Sequence, residues 1–350
     1  MPAHGPAGSP TAAERAVRRV LARYGFADSS VERVEPLTRR LKNENYRVRA
    51  GDADWVVKCH SSTPDLQRLE LAQTLERRLA DVGFPVAPIQ QSDSGHTLVQ
   101  EGGAHYSLHA WVDGRQTTIA ERDRVIARHP GFVPGIATAL GTMHAVAGTL
   151  PRPPGEPPAA RADDLLTGPA RASRRLRRLR PRPPLLSAMH MVRLKPGKST
   201  FDRWIIGNLP GVARSADRLA AQSLRTSPEP IAIHNDINWE NLIFDEDFTL
   251  RALLDFDNAM YAPPVIEVGA AAVVLVGTQR SRVDAFLAAY EDASHRRTDR
   301  DAVELAMRVK CAQSILNSVG SHLAGRVGDP DLLASWCSHL LDSLRELERW

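Results

Sequence analysis

Residues 231–256 read IAIHNDINWENLIFDEDFTLRALLDF. Two short apolar runs, Ile231-Ala232-Ile233 and Leu242-Ile243-Phe244, enclose a polar loop, and a third run ends at Leu254 on Asp255. Short apolar stretches bounded by polar turn residues predict strands joined by loops. The loop offers His234, Asp236 and Asn241, with Asp236 five residues before Asn241. Such a loop turns one carboxylate toward a substrate hydroxyl and an amide oxygen toward a cation, while Asp255 adds a second hard oxygen ligand from the neighbouring hairpin. Mg²⁺ suits a sparse oxygen site of this kind, because phosphate and water fill its remaining positions. Read singly, Asp236 is equally a turn cap and Asp255 equally a strand-end carboxylate.

On either side of this stretch the periodicity changes. Downstream and immediately upstream, apolar residues recur at helical spacing over 132–147, 170–180, 201–223, 265–276, 282–294, 301–323 and 331–348, which predicts helices. Near the N-terminus, extended segments fit 31–37, 44–50, 54–59, 86–90, 98–100 and 106–112. Helices fit 11–24, which Thr11 caps with Glu14 at the capping-box position, and 65–82, which Gly83 and Pro85 stop. The organisation expected is a loose tail over 1–10, a small mixed lobe over 11–112 built on a meandering antiparallel sheet, and a larger, mainly helical lobe over 113–350. No internal repeat is present.

With 43% hydrophobic and 25% charged residues, the chain is expected to bury a core rather than remain disordered. Cys59, Cys311 and Cys337 form no paired metal spacing and no disulfide framework, so a reduced, cytoplasmic protein is expected. The first residues lack the apolar core of a secretory signal, and the long uncharged run from His129 is broken by Pro130 and Pro134, so no membrane anchor is expected. The net charge of +4 conceals an uneven distribution: residues 151–200 hold 12 basic against 3 acidic residues, and 201–280 hold 6 against 11. Nucleic-acid binding would need aromatic residues interleaved with the arginines, and 170–184 has none.

The run His234-Asn235-Asp236-Ile237-Asn238-Trp239-Glu240-Asn241, followed by an apolar strand and Leu254-Asp255-Phe256-Asp257, resembles the catalytic core of the aminoglycoside phosphotransferase superfamily. That superfamily includes choline kinases, homoserine-kinase-like enzymes and antibiotic kinases. The resemblance implies an α+β, bilobal, protein-kinase-like fold and a small-molecule kinase that uses ATP or GTP with Mg²⁺. It assigns Asp236 to the aspartate that orients and deprotonates the acceptor hydroxyl, makes Asn241 and Asp255 metal ligands, and gives His234 a bracing part in the catalytic loop. Val56-Val57-Lys58 has the apolar-apolar-Lys pattern of the strand whose lysine contacts nucleotide phosphates; its partner is expected on helix 65–82, Glu70 being preferred to Glu76. Residues 38–46 stand where the phosphate-covering loop belongs, without a Gly-rich fingerprint, and Asn43-Glu44-Asn45-Tyr46 echoes the Asn-x-Asn-Tyr element of homoserine-kinase-like members. Leu108 to Gly114 matches the hinge, with backbone groups near Ala110 and Val112 facing the purine edge. Leu140-Gly141-Thr142-Met143-His144 matches a helix signature in which His144 reads as structural. Where the family places a loop-bracing aspartate, this chain has Glu267, one methylene longer, which leaves the bracing geometry open.

The acceptor expected is a small hydroxyl compound. If the basic 151–200 segment covers the cleft it repels polycations and favours a neutral, anionic, sugar-like or nucleoside-like acceptor; if it faces solvent that preference vanishes. An antibiotic-inactivating kinase, a homoserine or amino-alcohol kinase and a catalytically silent nucleotide-binding protein are the readings weighed beside the general one. The protein is expected as a monomer or homodimer without nucleic-acid or membrane partners. No activation segment ending in Ala-Pro-Glu is present, which argues against a protein kinase.

Overall fold

The computed structural model describes residues 11–37, 44–60, 65–151, 167–177, 188–222, 229–326 and 329–350. Its N-terminal part is a five-stranded antiparallel sheet in the order β1-β2-β3-β5-β4, formed by β1 (Val31–Pro36), β2 (Glu44–Ala50), β3 (Ala53–His60), β4 (Val99–Glu101) and β5 (Ala104–Ala110). Alternation divides the sheet into two faces. Tyr46, Val57 and Leu108 lie opposite one another across β2, β3 and β5 and are buried with Val17, Val20 and Leu21 of α1 (Ala12–Ala22). The next row, Asn45, Lys58 and Ser107, stands on the other face, so covering one face with α1 turns this polar row toward the cleft. Thr11 caps α1 by accepting the Glu14 amide at 3.1 Å.

Beneath the polar face lies α2 (Leu66–Asp81), whose N-cap Asp65 accepts from the Arg68 amide. Its Leu75 and Leu79 belong to the larger core that continues into the helical part. Residues 86–90, expected as a strand, form no ladder: they run irregularly, with isolated bridges from Val86 to Leu253 and from Ile89 to His109. Pro85 and Pro88 have no amide hydrogen to contribute, which limits pairing to single contacts. The chain then leaves the sheet beside the segment Leu242–Phe244: Arg115 and Phe244 exchange backbone bonds of 2.9 and 3.0 Å. Gly114 permits that approach, since a Cβ there would lie 2.4 Å from Ile243 Cγ2.

The second part is helical: α3 (Arg122–Arg128), α4 (Phe132–Ala147), α5 (Gly168–Arg177), α6 (Ala188–Leu194), α7 (Thr200–Leu219), α8 (Pro264–Ala271), α9 (Arg280–Ser294), α10 (Arg300–Leu323) and α11 (Pro330–Leu347). The expected helix over 265–276 divides, because α8 passes into a π-helical turn at Ala272–Val276. Two short helices, α3 and α6, had no expectation; α3 buries only Val125, too little to leave a period in the sequence. Two small ladders are set among the helices, β6 (Ile231–Ile233) with β9 (Met260–Ala262) and β7 (Leu242–Phe244) with β8 (Leu250–Leu253). The fold is therefore the bilobal α+β arrangement with a small antiparallel sheet and a larger helical lobe. Among the described residues, no helix is long and apolar enough to cross a membrane. Cys311 and Cys337 are buried free thiols, and burial pushes each up to about 12.

Candidate active site

A cavity of about 390 Å³ separates the sheet from the helical part, with Asn45, Lys58, Glu76, Ala110, Val112 and Asp255 among its walls. At its floor the Lys58 ammonium lies 2.7 Å from Asp255 Oδ1 and 2.9 Å from Asp257 Oδ1. Burial alone would lower the proton affinity of Lys58, but the two carboxylates more than offset it and hold the lysine charged well above its usual range. Burial would likewise raise both aspartates, yet Lys58 holds Asp255 and Asp257 below theirs, with His60 adding to the effect at Asp257.

Asp255 occupies the left-handed region at φ 65°, and so does Asn235 at the same angle. Asn and Asp tolerate this conformation better than most residues, and here it turns the chain sharply at the end of each strand. The two loops are joined by His234, which is fully buried. Its Nε2 donates to the Leu254 carbonyl at 2.9 Å, and its Nδ1 accepts the Asp236 amide at 3.2 Å. With both ring nitrogens engaged, the imidazole is oriented rather than free. Asn241 closes the loop from its far end, donating through Nδ2 to the Asp236 carbonyl at 2.9 Å, while its own carbonyl accepts the Leu254 amide at 2.8 Å. Trp239 pins the same segment inward: its indole stacks on Phe132 at 5.1 Å and donates to the Val274 carbonyl at 3.0 Å. That carbonyl lies in the π-helical turn Ala272–Val276, where the i→i+5 pattern departs from the regular α-helical ladder.

Glu267 answers the bracing question left open by the sequence. Its carboxylate accepts the backbone amides of both His234, at 3.0 Å, and Asn235, and also His144 Nε2 at 2.9 Å. Burial would raise its pKa, but His144 and the loop amides hold it below the ordinary value. His144 in turn contacts the Tyr290 hydroxyl at 2.8 Å, so this histidine is buried and enclosed by partners within the helical core.

The lysine's expected partner is corrected by the geometry. Glu70 is exposed on α2, whereas Glu76, six residues later, is buried and lines the cleft. The pattern misled because Glu70 lies beside the apolar seam without sharing its direction. Glu76 itself faces His109 Nδ1 at 3.3 Å rather than Lys58. His109 continues through Ser107 Oγ to His60 Nε2, each step 3.0 Å. Near the hinge, the Ala110 amide donates to the Pro88 carbonyl at 2.9 Å, so this amide is taken, and Ala110 and Val112 both line the cleft. Asn43 lies outside the described residues, whereas Asn45 lines the cleft with its Oδ1 buried and without a hydrogen bond.

Asn45, Lys58, Ala110, Val112 and Asp255 are thus brought to one cavity, with His234, Asp236 and Asn241 on the loop bonded to it. Sequence reading passed over His60, Ser107, His109, Asn238 and Asn258; His60 and Ser107 were legible as cleft-facing only once the strand register with Lys58 was known. The donor set fits a divalent cation. Asp255 and Asp257 supply hard oxygens, and Lys58 already stands between them as a stand-in cation. Among the described residues no group of three or more His, Cys, Asp or Glu gathers as a denser metal cage.

A family model described as the phosphotransferase enzyme family matches residues 33–305. No curated protein matches the chain. Among solved structures, a spectinomycin phosphotransferase in complex with ADP and spectinomycin superposes with a TM-score of 0.64 at 11% identity, covering 96% of this chain and 93% of that one. A choline kinase from Streptococcus pneumoniae gives 0.57 at 14% identity, over 97% and 100% of the two chains. A microcompartment-associated aminopropanol kinase gives 0.57 at 14%, over 95% and 96%. At such identities the likeness is one of fold.

Proposed function

The chain belongs to the phosphotransferase enzyme family, and from that premise we propose that it transfers the γ-phosphate of ATP to a hydroxyl of a small molecule, with Asp236 as the base. The observation carrying this reading is the joining of the two loops. His234 bonds the Asp236 loop to the strand end that delivers Asp255, opposite Lys58. A carboxylate for the acceptor and a charged floor for the phosphates are thereby fixed relative to each other, and phosphoryl transfer depends chiefly on such positioning and charge neutralisation.

In this reading Asp236 accepts the proton of the acceptor hydroxyl as its oxygen bonds to the γ-phosphorus and the bond to the β–γ bridging oxygen breaks. Asn241 and Asp255, with Asp257 beside them, hold Mg²⁺, which when bound neutralises charge on the phosphates. Lys58 exchanges its aspartate partners for phosphate oxygens, and His234 braces the loop. The Ala110 carbonyl and the Val112 amide present an acceptor followed by a donor, a pattern complementary to the amino group and ring nitrogen of adenine. Guanine would set its O6 against the Ala110 carbonyl, so ATP is favoured over GTP.

For the acceptor, Arg171, Arg174 and Arg175 are exposed on α5, while Arg178, Arg180 and Arg182 of the same basic run lie outside the described residues. None of these described arginines lines the cleft, so the positive charge over 151–200 leaves the acceptor class at a small hydroxyl compound. The test is a Mg²⁺-dependent ATP-consumption screen over amino alcohols, sugars, nucleoside antibiotics and aminoglycosides, read by mass spectrometry. One acceptor gaining a phosphoryl group with the wild type, and none with Asp236→Asn, is the expected result. Tight ATP binding with no product from any acceptor would instead support the silent nucleotide-binding protein.

A further inference from the structure

The carboxylate of Asp236 is held at both oxygens by side-chain amides from two different loops. Asn238 Nδ2 donates to Oδ1 at 3.1 Å, and Asn258 Nδ2 donates to Oδ2 at 3.1 Å. The orientation of Asn238 is determined by its other end, since its Oδ1 accepts the Glu240 and Asn241 amides at 3.0 and 3.1 Å, leaving Nδ2 for the carboxylate. Asn258 belongs to the short turn that begins at Asp255, so its amide crosses from the loop bearing the aspartates that clasp Lys58. It is tied there twice, because its backbone carbonyl accepts Asn235 Nδ2 at 3.2 Å. Rotating the Asn258 amide by half a turn would set oxygen against carboxylate, so the donating orientation is the one the pair requires.

We propose that Asn258 is a positioning residue for phosphoryl transfer: it locks the plane of the Asp236 carboxylate to the Asp255–Asp257 turn, so that the base and the phosphate floor move as one body. This rests on the reading of Asp236 as the base. Each carboxylate oxygen has two acceptor directions, so an amide on each oxygen stops rotation about the Cβ–Cγ bond while leaving a direction on each for the acceptor hydroxyl. The donors are neutral. They fix orientation without placing a cation beside the oxygen that receives the proton, as an arginine or lysine would. Asn238 orients from within its own loop, whereas Asn258 alone of the two carries the relationship across to the other loop.

The experiment uses the full chain with Mg²⁺ and γ-labelled ATP, with water as the acceptor, in single turnover. Asn258→Leu keeps the size and removes the donor. It is expected to slow γ-phosphate release about 10- to 100-fold, on the scale of a misplaced reacting group, with ATP affinity by calorimetry within about twofold of wild type. The decisive reading is a double-mutant cycle: in an Asp236→Ala background, Asn258→Leu is expected to add less than about twofold, since its target is gone. An unchanged rate in Asn258→Leu, or a full further loss on top of Asp236→Ala, overturns the proposal, the latter because Asn258 would then act elsewhere. Wild-type rates in Asp236→Ala alone overturn the reading of the base itself, which keeps the two failures distinct. If Asn258→Leu does not fold, Asn258→Ser, too short to span the gap, gives the same readings.

Discussion

Glu267 Oε2 lies 3.0 Å from the backbone nitrogen of His234, so a carboxylate buried at the start of α8 holds the loop that carries Asp236. Glu267→Gln would keep the shape, lose the charge and turn an N–H toward a donor. A loss of about 2–4 kcal/mol at neutral pH is expected, as for other buried charged groups deprived of a partner. The pH dependence has a definite sign. The folded state depresses Glu267 below its ordinary 4.5, so its stabilisation is fully present above that value and is lost as pH falls through the depressed one. Urea unfolding of wild type and variant should therefore give a constant difference from pH 8 down to about 5 and a narrowing one below. A difference that grows toward acid would reject the assignment.

Lys58 stands between two carboxylates whose side chains are 27% and 22% exposed, so solvent screens the trio in part. Lys58→Met removes the resident cation and leaves Asp255 and Asp257 facing each other. The apo protein should lose about 2–3 kcal/mol, because largely buried carboxylates are left without their cation, yet Mg²⁺ without nucleotide should raise its melting temperature by about 2 °C more than it raises that of wild type, because a metal ion then has no lysine to displace. ATP affinity should fall in the same variant. A Mg²⁺ response no larger than that of wild type would show that the two aspartates do not form a cation site.

The loop that carries Asp236 was legible in the sequence because its residues are close in the chain and its turns are set locally. His234, Asp236, Asn241 and Asp255 all fall within 22 residues, and turn geometry there is largely local. The helices were legible for the same reason: Phe132–Ala147 was expected with its observed bounds. What the sequence could not convey depends on register and on meetings between distant segments. Lys58 meets Asp255 across 197 positions and His144 meets Glu267 across 123; helical spacing alone could not decide whether Glu70 or Glu76 points into the cleft. Residues 86–90 misled in the other direction, since an apolar run reads as a strand whether or not its prolines leave donors for a ladder.

The two glutamates of α2 give a direct contrast. Glu76 is buried beside His109 in the cleft wall, whereas Glu70 faces solvent. Glu70→Gln should leave ATP affinity and stability within about 0.5 kcal/mol of wild type, as surface changes usually do. Glu76→Gln should weaken ATP binding about 3- to 10-fold, because it disturbs the His109, Ser107 and His60 chain behind the nucleotide. Calorimetric titration of both variants decides the matter, and a larger effect at Glu70 would restore the sequence-based preference.

Gly269 places the bracing glutamate by letting α8 lie almost against α10. A Cβ at this position would stand 2.5 Å from Ala306 Cβ and 2.8 Å from the Val303 carbonyl, both far inside contact distance. Neither obstacle is the flexible end of a long side chain, so α8 must shift, and Glu267 two residues earlier moves with it. Gly269→Ala should therefore cost about 1–3 kcal/mol as an overpacking change, and phosphoryl transfer should fall by more than the unfolded fraction explains, since the His234 and Asn235 amides lose their acceptor. Adding Ala306→Gly removes one obstacle but leaves the Val303 carbonyl, so the double variant should recover only part of the melting temperature. Full recovery would mean that the two Cβ atoms alone set the spacing, and a single variant as stable and as active as wild type would mean that α8 slides without disturbing the loop.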